Sequence, residues 1–519
     1  MPQNPILDPA TGTVFIGGAG PDHDRPETLL LRQANRHGLV AGATGTGKTV
    51  TLQTLAEAFS LAGVPVFMAD VKGDLAGIAA SGSAQLPTHD AFAKRAATIG
   101  FDLDYTAFPV TFWDIWGEAG HPVRTTPAEM GPLLLSRLLG LTEAQEGVLN
   151  IAFRIADEEG LALLDMDDLT AMLVWVGQNA RELSLRYGNI STASVGAIQR
   201  RLLVLDTEGG SLLFGEPALA LADLMRRDGD GRGMVNVLSA ERLMQAPRLY
   251  ATFLLWLMSE LFEQLPEIGD PDRPVLALFF DEAHLLFDGA PPALVARIEQ
   301  VARLIRSKGV SLWFVTQNPA DLPDSVLGQL GNRVQHALRA FTPKDQKALR
   351  HAAQNYRPNP EFSTAEAIQA VGTGEAVTSF LDRKGAPGMS QRTLIRPPLS
   401  RLGVLSPPER AAIIAASPME RLYRQAINRD SAHEILARRA EAAAAEAEAA
   451  QQAGPAHQPG AGRRYQPPTP ATRSATTRRA GSRGDSLVEA FGKSLVRQLG
   501  TGAGRAINRG ILGGLFRGR

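Results

Sequence analysis

The sequence predicts an α/β fold with a mostly parallel sheet, interrupted by a helical insertion and followed by a helical and disordered C-terminal tail. Three observations predict it. Short β-rich apolar runs recur between helical stretches, the pattern of strands joined by crossover helices. Residues 37–49, His37-Gly38-Leu39-Val40-Ala41-Gly42-Ala43-Thr44-Gly45-Thr46-Gly47-Lys48-Thr49, place a glycine-rich loop between an apolar run and a helical pattern. Farther on, Val275-Leu276-Ala277-Leu278-Phe279-Phe280 is an apolar strand that ends in two carboxylates, Asp281 and Glu282.

In chain order the candidate strands are 38–41, 64–69, 110–113, 234–238, 275–280, 312–316, 334–338 and 376–380. Between the third and fourth, residues 121–230 read as almost wholly helical. That stretch opens on Thr126-Pro127-Ala128-Glu129, a capping box with proline at the first helical position, and Thr142-Glu143-Ala144-Gln145 starts a second helix in the same way. Further helices are expected over 247–265, over 292–306 and from Thr342-Pro343-Lys344-Asp345. The sheet domain then comprises 1–120 and 231–407, with 121–230 as its insertion. Residues 408–450 read as an Ala/Glu-rich helix. Residues 451–484, rich in Pro, Gly, Ser, Thr and Arg, read as a disordered linker. In 485–519, Leu487, Phe491, Leu495 and Leu499 recur every four residues with Lys493 and Arg497 between them, which predicts a basic amphipathic tail.

Composition narrows the chemistry. The 519 residues contain no cysteine, which excludes disulfides, thiolate metal sites and cysteine nucleophiles and fits a reducing cytoplasm. No run approaches the ~20 apolar residues of a membrane helix, and the first residues lack the pattern of a signal peptide, so a cytoplasmic location is expected. The net charge of −1 hides an asymmetry: residues 451–519 carry +10 and the rest −11. An acidic body argues against a broad nucleic-acid face, while the basic tail suits either an anionic partner or a solvated, disordered extension.

Gly42, Gly47, Lys48 and Thr49 fill the G-x-x-x-x-G-K-[ST] pattern of a phosphate-binding loop, in its proper strand–loop–helix setting. Backbone N–H groups from Gly42, Ala43, Thr44, Gly45, Thr46 and Gly47 to Thr49 can turn in around phosphates at the helix N-terminus. Lys48 reaches the β and γ phosphates of ATP, and Thr49 offers its hydroxyl to Mg²⁺. Asp281, at the end of an apolar strand, suits the second Mg²⁺ contact, and Glu282 suits the base that activates water. Asp281-Glu282-Ala283-His284 also spells the box of one helicase class, with His284 equally readable as structural. The apolar run 312–316 ends in Gln317, a candidate γ-phosphate sensor or a strand-end cap. A transition-state arginine is also needed, and Arg36, Arg303, Arg306 and Arg333 are all candidates on spacing alone.

Together these motifs resemble the HerA/FtsK group of P-loop motor ATPases, in particular its bacterial HerA-like branch. The resemblance covers about residues 10–400 and rests on the segments 36–49, 68–74, 280–284, 303–310, 315–319, 331–336 and 372–376. It implies a RecA-like P-loop NTPase fold and a homo-oligomer, a hexameric ring with ATP sites between subunits. It also implies that Arg306 is the trans-acting finger, Arg36 a cis arginine and Asp70 an acidic residue near the site. In related motors, loops lining a central channel grip duplex DNA. Only some thirty-five residues precede the first strand, so the N-terminal β-barrel of archaeal relatives is expected to be absent or reduced to residues 13–18. A winged-helix DNA reader of the FtsK type is not evident.

The function expected is therefore an ATP-hydrolysing, ring-shaped DNA translocase or helicase. The alternative is an ATP-controlled scaffold that recruits a protein partner through its basic tail. A partner nuclease and the direction of movement are left open by the sequence.

Overall fold

A computed structural model of the chain describes residues 4–287 and 292–452. The expected linker at 451–484 and basic tail at 485–519 lie outside the described residues, apart from Gln451 and Gln452 at the end of a helix. The chain divides into two compact units. The larger comprises Met1–Phe153, Leu164–Met166 and Ser191–Asn428; the smaller comprises Arg154–Leu163, Asp167–Ile190 and the chain from Arg429.

The larger unit is a P-loop NTPase fold around one mixed sheet. Its strands are β1 (Leu7–Asp8), β2 (Thr13–Ala19), β3 (Arg25–Leu30), β4 (Gly38–Ala41), β5 (Val66–Asp70), β6 (Val110–Asp114) and β7 (His121–Pro122), followed by β8 (Val235–Ser239), β9 (Leu276–Phe280), β10 (Val310–Thr316), β11 (Asn332–Gln335), β12 (Glu375–Ser379) and β13 (Gln391–Ile395). They lie in the order β1-β2-β13-β12-β11-β4-β10-β9-β5-β8-β6-β7, with β3 paired to β2. From β11 to β7 every pairing is parallel. The flank formed by β12, β13, β2, β1 and β3 is antiparallel. All eight expected strands are present, shifted by one to three residues at some ends.

The antiparallel flank revises the expectation for the N-terminus. Residues 13–19 form no reduced barrel but a strand of the main sheet, buried along nearly its whole length. Its approach to β13 depends on Gly17, where any Cβ would overlap the Leu394 carbonyl.

The core lies between the sheet and the helix Lys48–Leu61, eleven of whose residues are buried. Phe59, Phe279 and Trp313 meet there with ring centroids 5.9–6.2 Å apart. Trp313 lies flat against β4 because Gly38 has no side chain; a Cβ there would overlap the indole. A fully buried ion pair, Arg396–Glu57 at 2.8 Å, fastens the end of β13 to the same helix. Desolvation of two charges is offset only when every lone pair and proton is used. Glu57 meets that condition by also accepting from Leu399 N, Ser400 N and Ser400 Oγ, and Arg396 by donating to the Phe15, Thr54 and Pro397 carbonyls.

The stretch 121–230 opens on β7 and otherwise forms helices, and the Thr126 capping box forms with both its bonds. The stretch 408–450 is not one helix. It forms Pro407–Ala416, Met419–Tyr423 and Ala432–Gln452. Pro418 ends the first, since it cannot donate to an i−4 carbonyl. Ser431 opens the last, its N–H and hydroxyl both donating to the Glu434 carboxylate. In the smaller unit this last helix is tied by His433 N to Asp168 Oδ1 (2.8 Å) and by Arg439 to Glu159 (2.8 Å).

Candidate functional site

The phosphate loop follows β4 and is fixed on three sides. Gly42 N donates to the Thr316 carbonyl at the end of β10 (3.3 Å), and Ala43 N to the Ala337 carbonyl after β11 (2.9 Å). The third tie comes from the turn before β12, where Gly374 N donates to the Thr46 carbonyl (2.9 Å). Gly45 (φ +75°) and Gly47 (φ +119°) adopt left-handed backbone, which glycine takes without cost and other residues rarely do. Lys48 folds back over the loop, its Nζ donating to the Gly42 (2.6 Å) and Ala43 (3.2 Å) carbonyls. Burial lowers its pKa, while Glu282 and Asp281 act to raise it.

The carboxylates follow β9, two strands from β4 with β10 between, at the same sheet edge. Burial, reinforced by Glu282, pushes Asp281 up to about 6. Glu282 follows with left-handed backbone (φ +47°, ψ +48°), a conformation in which a non-glycine residue stores strain, and such strain clusters at functional sites. Its carboxylate meets Lys72 Nζ at 2.7 Å, Gln317 Nε2 at 3.5 Å and His284 Nδ1 at 3.4 Å. Burial acts most strongly to raise its pKa, but Lys72, His284 and Gln317 together outweigh it and hold the carboxyl below the ordinary value. Gln317, read as a sensor, therefore reaches the residue read as the base.

Asp70, at the tip of β5, is buried and pushed up to about 7, by desolvation first and by Asp74 second. Its Oδ2 accepts from Leu75 N (3.2 Å), and its Oδ1 has no partner. Asp74 carries an equally unpartnered Oδ1, while its Oδ2 accepts from the Thr49 hydroxyl (3.3 Å). Orphaned carboxylate oxygens beside the Thr49 hydroxyl suit a hydrated divalent cation. Among the described residues no three Asp, Glu or His side chains converge to hold an ion unaided. Mg²⁺ keeps waters and takes phosphate oxygens, so this donor set fits it.

The candidate arginines Arg36, Arg306 and Arg333 are not at this edge. Arg36 precedes β4 and Arg306 precedes β10, at the strand ends opposite the phosphate loop. Both bind one carboxylate: Arg306 Nη2 lies 3.1 Å and Arg36 Nη2 3.4 Å from Asp270. The structure does not bring Arg36 to the loop of its own chain, because the length of β4 intervenes. Arg333 caps neighbouring turns through the Leu327 and Leu330 carbonyls.

Sequence reasoning missed Lys72 and Asp74 as site residues, although both lie in the Asp70–Asp74 segment that carried the resemblance. It also missed His336. That imidazole is buried behind the loop, with Nδ1 on the Glu375 carbonyl (2.9 Å) and Nε2 on the Thr51 hydroxyl (2.8 Å). Burial holds it neutral, down to about 4. Its Cβ occupies the space any side chain at Gly42 would need.

Comparison with known proteins adds the following. The model of the family described as "Helicase HerA-like C-terminal" matches residues 19–519. A curated relative, "Probable helicase MJECL08" of Methanocaldococcus jannaschii, is 29% identical over 27% of this chain, and the match spans only 30% of that relative's length. Among solved structures, the bacterial conjugative coupling protein TrwBdeltaN70 aligns at 15% identity and a TM-score of 0.48, over 78% of this chain and 92% of that one. VirB4 of Thermoanaerobacter pseudethanolicus aligns at 16% identity and a TM-score of 0.47, over 78% and 99%. Among the described residues no helix is long and apolar enough to cross a membrane.

Proposed function

The chain belongs to the family of helicases with a HerA-like C-terminal region, and from that premise we propose that it is an Mg²⁺-dependent ATPase that drives movement along DNA as a ring of identical subunits. The observation that carries hydrolysis is the convergence of Lys72, Gln317 and His284 on the Glu282 carboxylate, at the sheet edge that holds the Lys48 loop. A passive nucleotide binder has no use for a strained carboxylate held ionised by a lysine.

In this reading the backbone N–H groups of 42–49 bind the phosphate chain, and Lys48 exchanges the Gly42 and Ala43 carbonyls for β and γ oxygens. Thr49 and Asp281 would hold Mg²⁺, with Asp74 behind the Thr49 hydroxyl, and the ion would supply neutralising charge to the phosphate oxygens. Glu282 orients a water and takes its proton once Lys72 has moved off the carboxylate. Gln317 then reports departure of the γ phosphate. Arg306, half-buried at the opposite edge and paired there with Asp270, serves as the finger for a neighbouring subunit's site, and Arg36 stands beside it. The DNA part of the proposal draws on family membership.

The test is ATP turnover of the purified protein with and without duplex DNA, alongside native mass spectrometry. A hexamer whose turnover rises severalfold with DNA is expected. A monomer indifferent to DNA would overturn the motor reading and leave the ATPase reading standing.

A further inference from the structure

The phosphate loop has two unlike flanks. On one side stand β10 and β9, whose ends carry Gln317, Asp281 and Glu282; on the other stand β11 and β12, whose ends carry His336 and the turn Gly372-Thr373-Gly374. If Glu282 acts on the γ phosphate, the phosphate chain enters from the first flank. The nucleoside end must then leave over the second.

A cation outside every sequence motif waits on that second flank. Arg95, on the helix His89–Thr98, donates from Nη2 to the Thr373 carbonyl at 3.1 Å. Its guanidinium fills the space a side chain at Gly374 would take, and Gly374 (φ +77°) is itself bonded to Thr46 of the loop. A Cβ on Gly47 would lie 3.1 Å from Gly374 Cα, so the turn is packed on the loop. Among the described residues no carboxylate lies within ion-pair reach of Arg95. The nearest acid on the turn, Glu375, is already taken by Arg392 Nε (2.5 Å) and Nη2 (3.0 Å) and by Gly372 N (3.0 Å). Burial lowers the Arg95 pKa with no anion opposing it. A half-buried planar cation held by one carbonyl is poorly compensated, and such a group gains from an aromatic face or acceptor placed over it.

We propose that Arg95, presented by the Thr373-Gly374 turn, is a nucleotide-binding residue that contacts the base and ribose of the bound nucleoside triphosphate. The proposal rests on the nucleotide reading of the Lys48 loop, and the experiment separates the two. Isothermal titration calorimetry with Mg²⁺ compares ATP with inorganic tripolyphosphate, which lacks the nucleoside. Arg95→Ala should weaken ATP binding roughly five- to tenfold and leave tripolyphosphate binding unchanged, which also reports an intact loop. Arg95→Lys keeps the charge without the planar face and should restore little. Lys48→Ala should lose both ligands. Equal loss of both ligands in Arg95→Ala would overturn the nucleoside assignment, as would no loss of either. A wild-type protein that binds neither ligand would overturn the nucleotide reading and the Arg95 assignment together.

Discussion

Glu27, on β3, is the residue whose ionisation is easiest to isolate from the rest of the fold. Desolvation pushes its carboxyl up to about 7, against the Thr378 hydroxyl bond (2.9 Å) and the Arg25 charge, which act to lower it. A raised folded-state pKa stabilises fully below the unfolded value, here 4.5, and that stability is lost as pH rises through about 7. Glu27→Gln should therefore be more stable than wild type at pH 8, by on the order of 2–3 kcal/mol, with the gap closing towards pH 5. Urea midpoints of the two proteins across that range check this, and a pH-independent gap would refute it. Only the difference is informative. Buried His37 and His336, both near 4, give the opposite slope between pH 4.5 and 6.5 and mask Glu27 in the wild type alone. At the proposed base, Glu282→Gln should keep ATP affinity and lose about a hundredfold or more of turnover; undiminished turnover would remove Glu282 as the base. The residues of the loop and strand tips were legible because phosphate chemistry fixes their types and spacing. Lys72, Asp74, Arg95 and His336 were not, because each acts through a partner more than a dozen residues away, and no local pattern encodes such a meeting.

Among the elements, the parallel strands were legible as short runs of Val, Leu, Phe and Ala, since burial on both faces demands them. Two strands of the antiparallel flank were hidden for the same physical reason: β3 reads Arg-Pro-Glu-Thr-Leu-Leu and β13 reads Gln-Arg-Thr-Leu-Ile. Both are only partly buried, so their composition carries little signal. The break at Pro418 was legible in principle, but the surrounding alanines suggested an unbroken helix. The ion pair that joins β13 to the helix Lys48–Leu61 gives a sharper expectation. Glu57→Ala should cost about 3–5 kcal/mol by stranding Arg396 in a dry interior. For an isolated buried pair, replacing both partners with apolar residues is often neutral. Here Glu57→Met with Arg396→Met should remain destabilised, because Leu399 N, Ser400 N and Ser400 Oγ lose their acceptor at about 1–3 kcal/mol each. Chemical denaturation measures this, and a double variant as stable as wild type would contradict it.

At the scale of the whole molecule, the candidate groups lie at two opposite sheet edges. One carries the loop and carboxylates, and the other carries Arg306 and Arg36 on Asp270. In the ring proposed above, the site of one copy is completed by the opposite edge of the next. Arg306→Ala should lose about a thousandfold in turnover, the scale of an arginine finger. Mixed with Glu282→Gln subunits it should recover turnover, since each variant supplies what the other lacks; inactive mixed rings, verified by mass, would count against a shared site. The three backbone ties on the phosphate loop have one more consequence. With Thr316, Ala337 and Gly374 each joined to it, the cradle has almost no slack, and a stiff cradle makes a poor spring. Loss of a phosphate can scarcely be registered by the backbone that held it. In the proposed ATPase, the difference between triphosphate and diphosphate is then read by side chains beside the loop, Lys72 and Gln317 first among them.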